Sequence, residues 1–117
     1  MPKDAETLPL LKGTLDLLVL KALSLGPMHG FGITVWLEDV SGGSLGVEDS
    51  ALYQALHRLE GRRLVRSGWR TTENNRRARY YRLMPAGEKH LDREAEVWGR
   101  YARSVSRVLA LGTSGEP

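Results

Sequence analysis

Apolar positions near the start of the chain are spaced for a helix. Over residues 8–25 they include Leu11, Leu15, Leu18, Ala22 and Leu25, steps of 4, 3, 4 and 3 that form a heptad seam. Pro9 is tolerated in a first turn, and Gly26-Pro27 ends the element. Leu10, Leu17, Val19, Leu20 and Leu23 are apolar too, so this helix needs cover on more than one side. In so short a chain the second cover is expected from another subunit. Residues 30–40 predict a second helix, with Phe31, Ile33, Val35, Leu37 and Val40 at its apolar positions. Ser41-Gly42-Gly43-Ser44 breaks it, and residues 45–47 are long enough for one short strand. Asp49-Ser50 offers a cap for a third helix reaching about Arg63, whose inner positions are Leu52, Ala55, Leu56 and Leu59.

The period then drops to two. Residues 64–72 and 78–84 are short and rich in β-formers, and they flank the polar run Glu73-Asn74-Asn75-Arg76-Arg77. This predicts a β-hairpin. Alternation turns Tyr81 and Leu83 inward and Tyr80 and Arg82 outward, so the adjacent tyrosines cannot form one stacking platform. Pro85 suits the first turn of a last helix running to about Leu111. Along it Leu91, Ala95, Trp98, Ala102, Val105 and Leu109 repeat the 4-3-4-3-4 spacing, while Glu88, Lys89, Arg93, Glu96, Arg100, Arg103 and Arg107 fill the outer face. A small domain already closed around three helices has no surface left to cover this seam. A coiled-coil-like dimer contact is expected, with Leu11, Leu15 and Leu18 of the first helix taking part.

Three helices, a hairpin and a last helix make an α+β, mostly helical chain of winged helix-turn-helix type. The DNA-binding unit is expected over residues 8–84. A long C-terminal dimerisation helix follows over 85–111, within the same compact unit, with flexible tails at 1–7 and 112–117.

Charge gives this arrangement a partner. Residues 1–57 hold three lysines and no arginine. Residues 58–82 hold nine arginines against Glu60 and Glu73, a net +7, in a chain whose total is only +3. Such a window is the footprint of a phosphate-backbone binder. Turning Leu52, Ala55, Leu56 and Leu59 inward leaves Ser50, Tyr53, Gln54, His57 and Arg58 on the outer stripe of the third helix. A helix of this kind fits the B-DNA major groove, where Gln54 can pair with adenine and Arg58 with guanine or a phosphate, while Ser50 and Tyr53 hold phosphates. At the hairpin, Asn75, Arg76, Arg77 and Arg79 are candidates for the minor groove or the backbone. Trp98, in mid-seam, is first a packing anchor. Two such rings across a two-fold axis can also flank a cavity for a small planar ligand.

Other classes are poorly supplied. There are no cysteines, which excludes disulfides, thiolate zinc sites and cysteine nucleophiles. His29, His57 and His90 lie far apart, and the chain has no HExxH, P-loop or GxSxG pattern. No enzymatic activity, cofactor or metal is expected. The leucine-rich stretch 15–25 is interrupted by Asp16 and Lys21 and is too short to span a bilayer, so the default location is the cytoplasm.

Leu11-Lys12-Gly13-Thr14-Leu15-Asp16 and Gly26-Pro27-Met28-His29-Gly30-Phe31-Gly32-Ile33 resemble the opening of PadR-family transcriptional regulators. Ala51-Leu52-Tyr53-Gln54-Ala55-Leu56-His57-Arg58-Leu59-Glu60 resembles that family's recognition helix, and Arg76-Arg77-Ala78-Arg79-Tyr80-Tyr81-Arg82-Leu83 its wing. The resemblance spans about residues 10–110 and is to the short subfamily with one C-terminal helix. It implies a homodimer on a pseudo-palindromic double-stranded operator, most often a repressor relieved by a small molecule or a stress signal. It also implies that Tyr53, the polar recognition-helix residues and the wing arginines touch DNA. Gln54 stands where many members have proline. Met84 stands where a threonine usually caps the last helix, a loss of about 1 kcal/mol. The competing class is a winged-helix protein–protein interaction module without DNA binding, which has no need of the arginine window.

Overall fold

The computed structural model describes Leu8, residues 10–11 and residues 13–111. The tails expected at 1–7 and 112–117, and Pro9, lie outside the described residues. The elements run α1 (Thr14–Leu23), β1 (Met28–His29), α2 (Gly30–Val40), α3 (Asp49–Gly61), β2 (Val65–Thr71), β3 (Arg77–Leu83) and α4 (Pro85–Ala110). This is the winged-helix order, helices followed by a hairpin wing and a long last helix.

The first helix is shorter than the leucine spacing suggests. Gly13 adopts φ 86°, a left-handed conformation that a right-handed helix cannot include, so α1 starts at Thr14. Leu11 therefore precedes the helix and Leu25 follows it, while Ala22 is fully buried in the chain's own core. The five-position seam is not one face of one helix. Leu15 and Leu18 remain on α1, half-buried against the core. Leu8 instead forms a parallel bridge with Leu45, its N–H donating to the Ser44 carbonyl at 2.8 Å. That bridge stands where a short strand over 45–47 was expected.

α2 has the expected bounds because both ends are specified locally. His29 is its N-cap, with Nδ1 accepting from the Gly32 N–H at 2.9 Å. Gly42 and Gly43 end it at positive φ. α3 is capped by the backbone of Glu48, which puts Asp49 and Ser50 in the first turn and corrects their expected role as caps. It stops at Gly61. Arg63 sits at φ 62° and the Leu64 N–H reaches back to the Leu59 carbonyl, a Schellman-type end with an arginine in the left-handed position.

The sheet order is β1-β3-β2, all antiparallel. β1 was not foreseen. It pairs Met28 with Tyr81 and His29 with Tyr80, tying the N-terminus of α2 to the wing. Val65, Tyr81 and Leu83 face the helices, and Val19, Leu20, Ile33, Leu37, Leu52, Leu56 and Leu59 complete the core. Burial pushes the Tyr81 phenol above its ordinary range, so it stays neutral.

α4 is 26 residues long, but only Gly87 and Leu91 are buried. Leu91 belongs to the protomer's own core, which removes it from the expected dimer seam. Met84 caps α4 without a side-chain bond, and Pro85 takes its first turn. Gly87 lets the helix rest on the sheet. A Cβ there would strike the Leu64 carbonyl and sit 2.7 Å from Leu83 Cδ1. Backbone cannot swing aside, so Gly87→Ala is expected to cost about 1–3 kcal/mol. A lowered urea midpoint would register it; an unchanged midpoint would mean that α4 can shift freely on the wing.

Candidate nucleic-acid interface

The outer stripe of α3 is exposed as expected. Ser50, Tyr53, Gln54, His57 and Arg58 all face solvent. They are not equally available. Arg58 is held by Asp16 of α1, its NH2 2.6 Å from Oδ1 and its Nε 3.4 Å from Oδ2. The hydrogen bond and the charge of Asp16 raise the Arg58 pKa further, so its charge is fixed and partly neutralised. Arg58 locks α3 to α1 before it does anything else. Tyr53 lies over the start of α2, and a Cβ on Gly30 would meet its ring and hydroxyl, so a larger residue there would push the Tyr53 side chain aside.

The wing tip is a three-residue loop, Glu73-Asn74-Asn75. The Asn75 N–H donates to the Thr72 carbonyl at 2.9 Å, and Asn75 holds φ 62°. This is the bulged three-residue hairpin turn, in which asparagine tolerates the left-handed position. Asn75 thus shapes the tip, and Arg76 and Arg77 project beside it. Both are exposed, and neither has an ion-pair partner among the described residues.

Strand alternation sorts the other arginines. Trp69 and Arg79 are cross-strand partners, as are Thr71 and Arg77. All four share the face that continues from the core. The Trp69 ring is 57% exposed and has two guanidinium groups near it, Arg77 at 5.1 Å and Arg79 at 6.0 Å from its centre. Arg79 is anchored as well. Its Nε donates to Ser67 Oγ at 2.9 Å, Ser67 Oγ donates to Glu60 at 2.7 Å, and its NH2 lies 3.8 Å from the same carboxylate. Glu60 is on α3, so this chain fixes the wing against the helix.

These elements border a groove of about 600 Å³ between α2, α3 and the wing. Tyr53, Phe31, Trp69, Arg76, Arg77 and Arg79 line it. Phe31 and Trp69 were not singled out by sequence reasoning. Trp69 was findable, since it has the parity of Ser67 and Thr71; Phe31 was assigned to an apolar face but is 71% exposed.

The second region is α4. Trp98 is 46% exposed, Val105 38% and Leu109 68%, with Ala95 exposed and Ala102 half-buried. Tyr101 and Val108 are exposed beside them. The uncovered face thus begins beyond Leu91 and widens toward the C-terminus. Between α4 and α1 runs a cleft of about 570 Å³, lined by Leu11, Leu17, Val97, Trp98 and Tyr101 with Arg62, His90 and Glu94 at polar positions. Among the described residues there is no group of three acids or histidines able to hold a metal, and no helix long and apolar enough to cross a membrane.

Comparison with known proteins agrees with this architecture. The family model described as "Transcriptional regulator PadR-like family" matches residues 19–93. A transcriptional regulator from Clostridium thermocellum superposes with a TM-score of 0.75 at 25% identity, over 82% of this chain and 93% of that one. A PadR family transcriptional regulator from Eggerthella lenta DSM 2243 does so with a TM-score of 0.73 at 28% identity, over 86% of this chain and 85% of that one. An uncharacterized 37.1 kDa protein in transposon TN4556 of Streptomyces fradiae is 44% identical over 90 residues, 77% of this chain. The chain spans only 24% of the length of that curated relative.

Proposed function

The chain belongs to the PadR-like family of transcriptional regulators, and on that premise we propose that it is a homodimeric, sequence-specific double-stranded DNA-binding repressor released by a small-molecule signal. One observation carries the reading. Tyr53 of the exposed α3 stripe, the tip residues Arg76 and Arg77, and Trp69 with Arg79 border one groove, with no acidic residue among those that line it. A major groove about 12 Å wide accepts α3, and the wing then reaches the neighbouring backbone or minor groove. Filter-binding titration against the DNA upstream of its own gene, at two salt concentrations, tests this. Binding that weakens with salt supports it. Salt-independent or absent binding would turn the reading toward a protein–protein module.

Within α3, Gln54 is the residue best suited to read a base. It is exposed and makes no side-chain bond among the described residues. Gln54→Ala is expected to cost about 1–3 kcal/mol on the operator and little on random DNA. Equal losses on both would move Gln54 to the phosphate backbone. Ser50, Tyr53 and His57 serve the phosphates beside it, and Arg58 can add a contact through the N–H groups that its bond to Asp16 leaves over.

Dimerisation falls to Leu11, Leu15 and Leu18 with Ala95, Trp98, Ala102, Val105 and Leu109. The uncovered apolar positions of α4 and the open α1–α4 cleft lined by Leu11 and Trp98 support this for Leu11 and α4, whereas Leu15 and Leu18 pack half-buried against the core. The same cleft has a volume suited to a small planar ligand, with the Trp98 ring as its stacking surface. A ligand bound there alters the angle between subunits, and hence the spacing of recognition helices that must match half-sites about 34–36 Å apart. About 1.4 kcal/mol of preference for one dimer geometry changes occupancy tenfold. Trp98→Leu should keep the dimer and lose both the fluorescence quenching and the release from DNA caused by planar aromatic ligands. Trp36 and Trp69 also fluoresce, so the variant is the control. A leucine variant that responds like the parent would leave Trp98 as packing alone.

A further inference from the structure

Arg58 is held along one edge only. A guanidinium carries five N–H donors, arranged so that its side edge and its tip can each pair with two acceptors. Asp16, in the first turn of α1, takes the side edge: Nη2 donates to Oδ1 at 2.6 Å and Nε to Oδ2 at 3.4 Å. The tip, with both Nη1 hydrogens and the second Nη2 hydrogen, has no partner among the described residues. The Arg58 side chain is 53% exposed and that of Asp16 22%, so solvent reaches the fork more than the carboxylate that holds it.

Stability alone does not account for this pair. α1 and α3 already share the buried core through Leu20, Leu52 and Leu56, and an exposed ion pair adds little to such packing. A carboxylate beside α3 also weakens a DNA-binding surface, because it repels phosphates. What the pair supplies is aim. A long side chain loses rotamer freedom when it binds. Asp16 removes that freedom beforehand and fixes the plane of the planar fork.

We propose that the open tip of Arg58 reads a guanine in the operator and that Asp16 positions it, so that α1 contributes to sequence specificity without touching DNA. The proposal rests on the DNA-binding reading above. The fork matches O6 and N7 of guanine, the one major-groove base edge that offers two acceptors side by side. A phosphate also offers two oxygens and is the competing occupant, but it carries no sequence information. Position favours the base. Gln54 lies about one turn before Arg58, and Gln54, Arg58 and Asp16 line one cleft of about 680 Å³. Four residues rise about 6 Å along a helix, a span of about two base pairs. The operator is therefore expected to carry a guanine about two base pairs from the adenine that Gln54 reads.

The test uses the full-length dimer. Operators are selected from a random duplex library with the parent and with Arg58→Ala. The parent should select a guanine at a position that the alanine variant leaves free. Replacing that G·C pair by A·T in one half-site should weaken the parent about 5–150-fold and the alanine variant hardly at all. Asp16→Ala and Asp16→Asn then decide the positioning role. Both should lose most of the guanine preference while binding random DNA at least as tightly as the parent. In Asp16→Ala each subunit's Arg58 is released to meet a phosphate, which should steepen the log–log salt slope on random DNA by up to about 1.8. A pair that serves stability alone predicts the opposite pattern. The Asp16 variants would then lower the urea midpoint, lose affinity equally on operator and random DNA, and keep the guanine preference. That result overturns the proposal. An operator in which no base pair depends on Arg58 overturns it too, and assigns the fork to a phosphate. A parent that binds no duplex defeats the DNA-binding reading itself, and this proposal with it.

Discussion

Val105→Glu combined with Leu109→Glu is expected to yield a folded monomer whose affinity for a two-half-site operator is about 10²–10⁴-fold below that of the parent. Both side chains lie on the half of α4 that projects beyond the protomer's own core, and Leu91 is the only α4 side chain that core includes. Replacing them therefore leaves intramolecular packing untouched. In a dimer they would be buried, and a carboxylate buried without a partner is strongly disfavoured. The affinity loss follows from linkage. A dimer that has docked one recognition helix holds the second at millimolar effective concentration, and a monomer forfeits that advantage. A duplex bearing one half-site should hence be bound equally by parent and variant subunits. Sedimentation reads the mass, circular dichroism the fold, and titration the affinity. A variant that remains dimeric would move the interface off this seam.

Helix boundaries were legible where a local signal sets them and lost where a distant one does. His29 and the Ser41–Ser44 breaker fixed both ends of α2, and Pro85 fixed the start of α4. The heptad spacing ran through Gly13 because leucine spacing carries no information about φ. A glycine at 86° breaks the helix whatever the pattern around it. The two-residue strand β1 is too short to alternate, and it exists because β3 has a free edge beside it. The exposed stripe of α3 followed directly from its buried positions. Its internal ties did not. Asp16 and Arg58 are 42 residues apart, and the Glu60–Ser67–Arg79 chain joins a helix to two strands. Contacts at that separation have no periodicity to betray them. They also change the meaning of the arginine window. Two of its members, Arg58 and Arg79, are tied to Asp16 and Glu60, and none of the others has an ion-pair partner among the described residues.

Arg76→Ala with Arg77→Ala tests the freest of these. Asn75 holds the tip turn through its own backbone, so truncating the neighbouring side chains preserves the hairpin. Two phosphate contacts per wing, four in a dimer, contribute about 3.6 to the log–log salt slope. Their loss should remove that much from the slope for operator and random DNA alike, because phosphate contacts carry no sequence information. Over a rise from 50 to 200 mM salt the parent would lose about 150-fold more affinity than the variant. The paired lysine variant should keep the slope, since an ammonium also displaces a counterion. It should bind less tightly if the Arg77 guanidinium, 5.1 Å from the Trp69 ring centre, is positioned by that ring. A drop of about half the expected slope would assign Arg77 to that stack and leave Arg76 alone on the backbone. An unchanged slope, with the hairpin intact by circular dichroism, would remove the wing tip from the interface and leave α3 to carry the binding.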